Sequence, residues 1–179
     1  MSNSLILLLV NMIGGIAVLS SYALCIILFP ETREVLWGGI SGTVRSFFVI
    51  SMLIAATGYL SYLAITFLNP DLGQFRETLF LGSHSISILS LLFLISATLW
   101  MPTSVIYSKN PSFLMWLIVV FALWITALSI IAILAITLSS TFESKLSLKI
   151  ISCIGLFYIS FHCLILDGII WVAKFPKLH

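Results

Sequence analysis

The chain has 179 residues, a formal net charge of +2, 61% hydrophobic residues and only 8% charged ones, and its mean hydropathy is +1.23. Soluble domains carry about 25% charged residues, so this chain cannot clothe a surface in water, and its apolar runs must face lipid or one another. The charge is too small, and basic runs too few, for a nucleic-acid partner, and the length sets a single domain over residues 1–179.

Taken in order, five apolar runs are long enough to cross a bilayer, which needs about 20 apolar residues in a helix. The first covers about residues 4–29 and ends at Pro30. It has no basic residues at its start and is long for a signal peptide, so it reads as a retained helix. A short polar segment with Arg33, Glu34 and Trp37 leads to the second run, 43–68, which stops at Asn69-Pro70. The third, 78–101, is expected to end or bend at Pro102. The fourth, 112–138, follows Asn110-Pro111, and the fifth is 148–173. None of these runs alternates polar and apolar residues as a membrane barrel strand does. The fold class is therefore all-α, an integral membrane bundle of five helices with short connections and antiparallel neighbours. Arg76, Lys145 and Lys149 fall on one side, and Arg33, Arg45, Lys109, Lys174 and Lys177 on the other. The positive-inside rule then puts the C-terminus in the cytoplasm and the N-terminus outside.

The polar residues inside these runs are the sites of interest. Asp167 lies in the fifth run, where a carboxylate costs roughly 2.5–3.5 kcal/mol even on lenient insertion scales. A partner, a proton, a cavity or a ligand must offset that cost. On an α-helix Asp167 shares a face with Ser160, Cys163 and Trp171 and lies about 9 Å from His162 along the axis. A structural role would bond it to a neighbouring helix or to Arg45; a functional one would line a cavity. His162, near mid-span with Tyr158 one turn earlier, suits a neutral histidine bonded to Tyr or Ser, or a ligand contact. His84 belongs near an interface. Ser83, Ser85, Ser87 and Ser90 read as helix-packing residues. Trp37, Trp100, Trp116 and Trp171 cluster at the C-terminal level, with Trp116 assigned to an interfacial belt, Trp100 facing inward, and only Trp124 deep. Cys25, Cys153 and Cys163 form no ligand-spaced cluster, so no metal site is expected. No catalytic constellation is assigned either, and an enzyme is the less favoured class.

Three short stretches resemble the translocator protein family, also called tryptophan-rich sensory protein or peripheral benzodiazepine receptor. Gly58-Tyr59-Leu60-Ser61-Tyr62-Leu63 is similar to a stretch of that family's second helix. Trp100-Met101-Pro102 is similar to the end of its third, and Leu166-Asp167-Gly168-Ile169-Ile170-Trp171 to a pattern in its fifth, where Asp167 replaces an asparagine. The first loop departs from the family, with Trp37 as its single tryptophan. The resemblance implies a bundle that binds a hydrophobic small molecule such as a porphyrin, haem or sterol between its helices. The site would include Tyr59, Trp100, Pro102, His162, Asp167 and Trp171, with the Trp37 loop over it, and a homodimer formed through helix faces. Two other readings compete: a structural or assembly subunit whose polar groups only join helices, and a small transporter using Asp167 and His162 for protons. A ligand protein should hold a Trp-lined cavity, and a subunit should be filled solid.

Overall fold

The computed structural model describes residues 2–69, 82–140 and 145–177. The long apolar runs become helices because nothing in hydrocarbon can pair a free backbone group, and a helix pairs its own. Five helical spans are long and apolar enough to cross a membrane. These are α1 (Asn3–Leu28), α3 (Gly42–Leu68), α4 (Ser85–Lys109), α5 (Phe113–Ser139) and a last span, Leu146–Lys174. The last span consists of α6 (Leu146–Phe161), a π-helix (His162–Trp171) and α7 (Val172–Lys174). Between α1 and α3, a 3-10 turn (Pro30–Thr32) and the short α2 (Arg33–Leu36) form a strap.

Local chemistry sets the ends. Ser2 and Ser112 cap α1 and α5 by accepting from Leu5 N and Met115 N. Lys149 closes the other end of α5, donating 2.7 Å bonds to the carbonyls of Leu138 and Ser140.

Helix α4 packs along α1 and α5, α5 along the last span, and the last span along α3. The ring closes between α3 and α1 through a side-chain bridge, Tyr59 Oη donating to Asn11 Oδ1 at 2.8 Å. Close backbone approach relies on glycine. A Cβ on Gly58 would sit 2.9 Å from Gly155 Cα, and one on Gly155 would collide with the Gly58 carbonyl. Packing of this kind drives association in lipid, where the hydrophobic effect between helices is absent. A hydroxyl pair, Ser96 and Thr126 at 2.8 Å, joins α4 to α5. The outer faces are apolar, with Leu19 at 72% and Ile27 at 67% exposed, as lipid contact requires.

Two sequence expectations change. Helix α4 runs through Pro102 to Lys109 instead of ending there. Pro102 leaves the Thr98 carbonyl without its helical donor, and the hydroxyls after it bond back to the two carbonyls that follow: Thr103 Oγ1 donates to Leu99 O and Trp100 O, and Ser104 Oγ to Trp100 O. Trp116 is not an interfacial anchor. It is buried between Tyr107, Trp171 and Phe175, because the aromatic residues at this end satisfy one another better than a headgroup layer would. The start of the third run, at residues 78–81, lies outside the described residues. His84 is exposed just before α4.

Candidate functional site

The site is built where the last span changes its winding. In an α-helix, residues five apart are rotated by about 140° at 3.6 residues per turn. The i→i+5 bonding of a π-helix instead stacks them. Across His162–Trp171 this brings His162 and Asp167 onto one face, with His162 Nε2 3.4 Å from Asp167 Oδ2. The α-helical reading set Asp167 on a face with Ser160, Cys163 and Trp171 and apart from His162; the π winding brings the His162 side chain to it. Arg45 is not the partner either: it pairs with Glu34 at 2.7 Å and covers the Trp37 ring.

Helix α3 supplies the next layer. Ser51 is buried and meets His162 Nδ1 at 2.9 Å, while Tyr158 Oη donates to Ser51 Oγ at 3.2 Å. A serine hydroxyl has one proton to give. Ser51 Oγ and His162 Nδ1 are hydrogen-bonded, and which of the two donates is set by the imidazole tautomer. The gap of 3.4 Å between His162 Nε2 and Asp167 Oδ2 exceeds the 2.7–3.2 Å of a formed N–H···O bond. Asp167 is therefore left short of partners: its Oδ1 has no hydrogen bond among the described residues.

The Asp167 side chain is 30% accessible, against 8% for His162. Its neighbours on the same face, His162, Cys163 and Trp171, are buried, whereas Ile169 on the opposite face is exposed. Tyr22 of α1 is half-buried at this end of the bundle. Trp100 of α4 stands beside it, its ring centroid 5.7 Å from Tyr22 and 5.4 Å from Trp171 in an edge-on arrangement. The Trp100 Nε1 is buried and has no hydrogen-bond partner among the described residues. Both rings are only partly covered.

The strap forms the roof of this end. Leu36 and Ile40 are buried, and the Leu36 carbonyl accepts from Trp171 Nε1 at 2.9 Å. Gly39 N donates to the Lys174 carbonyl at 3.2 Å. Two ion pairs fasten it from outside, Glu34 to Arg45 on α3 and Glu31 to Lys109 on α4. The Arg45 guanidinium holds the Glu34 carboxyl below the usual carboxylate range.

The structure brings together Trp100, His162, Asp167 and Trp171, with Trp37 in the strap and Pro102 two residues beyond Trp100. It does not bring Tyr59 to them. Tyr59 lies eight residues beyond Ser51 on α3, about 12 Å along the axis, in a separate cluster with Phe93 and Tyr62. Two residues that the sequence reading did not assign lie at this site, Ser51 and Tyr22, and a third, Asn11, joins α1 to α3 through Tyr59 away from it. Asn11 had a legible signal, a lone amide in an apolar run. Ser51 had none, since serine is common in such helices and only its partners across the bundle distinguish it. Two outer grooves, of about 410 Å³ between α1 and α4 and about 420 Å³ between α3 and α6, contain none of Trp100, His162, Asp167 or Trp171. No protein-family model matches this chain, and no curated protein or solved structure is significantly similar to it.

Proposed function

We propose that this multi-pass membrane protein binds an apolar or amphipathic small molecule between α1, α4 and the π-helical segment, beneath the strap. The observation that carries the reading is Asp167, a carboxylate inside a membrane span whose side chain is 30% accessible and whose Oδ1 has no hydrogen bond among the described residues. Such groups mark ligand or ion pathways, and aromatic walls with a few convergent polar groups suit a small-molecule site. The resemblance to the translocator protein family supplies the candidate ligands: sterols, porphyrins and haem. Of these, a sterol hydroxyl can donate to Asp167, whereas the propionates of a porphyrin or haem would be repelled by it.

The test is titration of the purified protein in lipid nanodiscs with dehydroergosterol, protoporphyrin IX and haemin, read by tryptophan emission. Saturable quenching by one of them, lost in Asp167→Leu, supports the reading. Linear, non-saturable quenching by all three, equal in both proteins, refutes it.

One observation favours the second reading, an assembly subunit. Trp116, Trp171, Phe175 and Tyr107 fill the centre of this end solidly, as helix-joining residues would. Under that reading Asp167→Leu lowers stability and changes no binding.

A further inference from the structure

Beyond the Asp167 site and independently of it, we propose that the outer groove between α3 and α6 binds a lipophilic alcohol or phenol, recognised by its hydroxyl proton. The groove has a volume of about 420 Å³, within the roughly 300–1,000 Å³ of small-molecule clefts. Its floor is the contact of Gly58 with Gly155, where the two backbones approach too closely for a Cβ. Its walls include the exposed Ile54, Ile151 and Ile154. Three hydroxyls interrupt this apolar lining, those of Thr57, Ser61 and Tyr158.

All three hydroxyl protons are committed. Thr57 Oγ1 donates to the Leu53 carbonyl at 2.9 Å, Ser61 Oγ to the Thr57 carbonyl at 2.8 Å, and Tyr158 Oη inward to Ser51 Oγ at 3.2 Å. A hydroxyl has one proton and two lone-pair sites, so the groove offers acceptors and no donor. Thr57 is exposed and Ser61 half-buried, one helical turn apart on α3, about 6 Å along its axis. Hydrocarbon brings them no water to pair with. That one-sidedness selects the occupant. An acyl chain would fill the groove and leave the oxygens unpaired. A second copy meeting it across a two-fold axis would set hollow against hollow and acceptor against acceptor. An apolar body carrying an O–H supplies the missing donor. The groove of about 410 Å³ between α1 and α4 is the internal comparison, because Thr98 is its one hydroxyl, committed to the Leu94 carbonyl at 2.7 Å.

The experiment compares 4-octylphenol with 4-octylanisole, its methyl ether, which keeps the shape and lacks the proton. Each is titrated into the full chain in nanodiscs of zwitterionic lipid, with the isoleucine δ1 methyls carbon-13 labelled. Empty nanodiscs correct for partitioning. The methyls of Ile54, Ile151 and Ile154 report this groove, and those of Ile6, Ile13 and Ile95 the other. Saturable shifts are expected at the first three, with the phenol bound about threefold or more tightly than the ether, the ratio an average interhelical hydrogen bond in a membrane supports. Thr57→Val combined with Ser61→Ala is expected to bring the two affinities together. Equal affinities in the wild type, as for filling by an acyl chain, overturn the proposal, and so does a preference that survives the double variant. Saturation by neither probe, as for a face reserved for a partner helix, overturns it too. The wild-type ratio decides the matter even if the double variant does not fold. Binding here is read on isoleucine methyls and binding at Asp167 on tryptophan emission, so each assignment stands or falls alone.

Discussion

Ser51 is the hub on which the proposed geometry depends, and a double-mutant cycle tests it. Ser51→Ala removes the acceptor of Tyr158 and the partner of His162 together, whereas Tyr158→Phe removes only the first. Interhelical hydrogen bonds in membrane proteins average about 0.6 kcal/mol and reach about 1.7. The 3.2 Å Tyr158 bond to a half-buried tyrosine belongs near the average, so Tyr158→Phe should cost about 0.6 kcal/mol. Ser51→Ala loses that bond and the shorter 2.9 Å contact to a buried histidine, so about 1–2 kcal/mol is expected. Because both losses pass through one hydroxyl, the double variant should be no less stable than Ser51→Ala alone. Reversible unfolding in mixed dodecylmaltoside and dodecyl sulfate micelles, followed by tryptophan emission, gives the three values. Additive costs would refute the shared role of the Ser51 hydroxyl.

Other outcomes follow from the same structure. Gly155→Ala forces apart the α3 and α6 backbones and should cost about 1–3 kcal/mol in the same unfolding assay. Gly15→Ala, where an added Cβ meets nothing within 4 Å, should be neutral or stabilising; equal losses would show that the helix crossing is not a tight one. Because pairing with Arg45 lowers the Glu34 carboxyl, the strap gains stability above the ordinary carboxylate range and loses it as the pH falls through the lowered value. Amide exchange of residues 33–41, corrected for its intrinsic pH dependence, should therefore show protection falling at acid pH in the wild type and falling less in Glu34→Gln, where only the Glu31–Lys109 pair remains. Reporter fusions after residues 74, 109 and 143 should place 109 in the cytoplasm and the other two outside; all three on one side would sink the five-span topology.

The number of spans, the limits of four of them to within about two residues, and the presence of a costly carboxylate were legible without tertiary information, because hydropathy is a property of consecutive residues and hydrocarbon leaves the backbone no choice but a helix; the third, read as 78–101, runs from Ser85 to Lys109. Trp100 could be read as inward-facing from its place beside Pro102, and the structure packs it on Tyr22 and Trp171. What tertiary structure decided was partnership. Asp167 and His162 meet only because the last span winds as a π-helix, a departure of about one residue per turn that leaves hydropathy unchanged. Ser51 and Asn11 acquire their roles from Tyr158, His162 and Tyr59, at separations of 107, 111 and 48 residues. Trp116 moves from interface to core because Phe175 and Trp171 arrive over it. Helix formation in a bilayer is a local necessity, whereas the choice of which polar groups face each other depends on how whole helices cross. That crossing is set by contacts such as Gly58 on Gly155, between residues far apart in the chain.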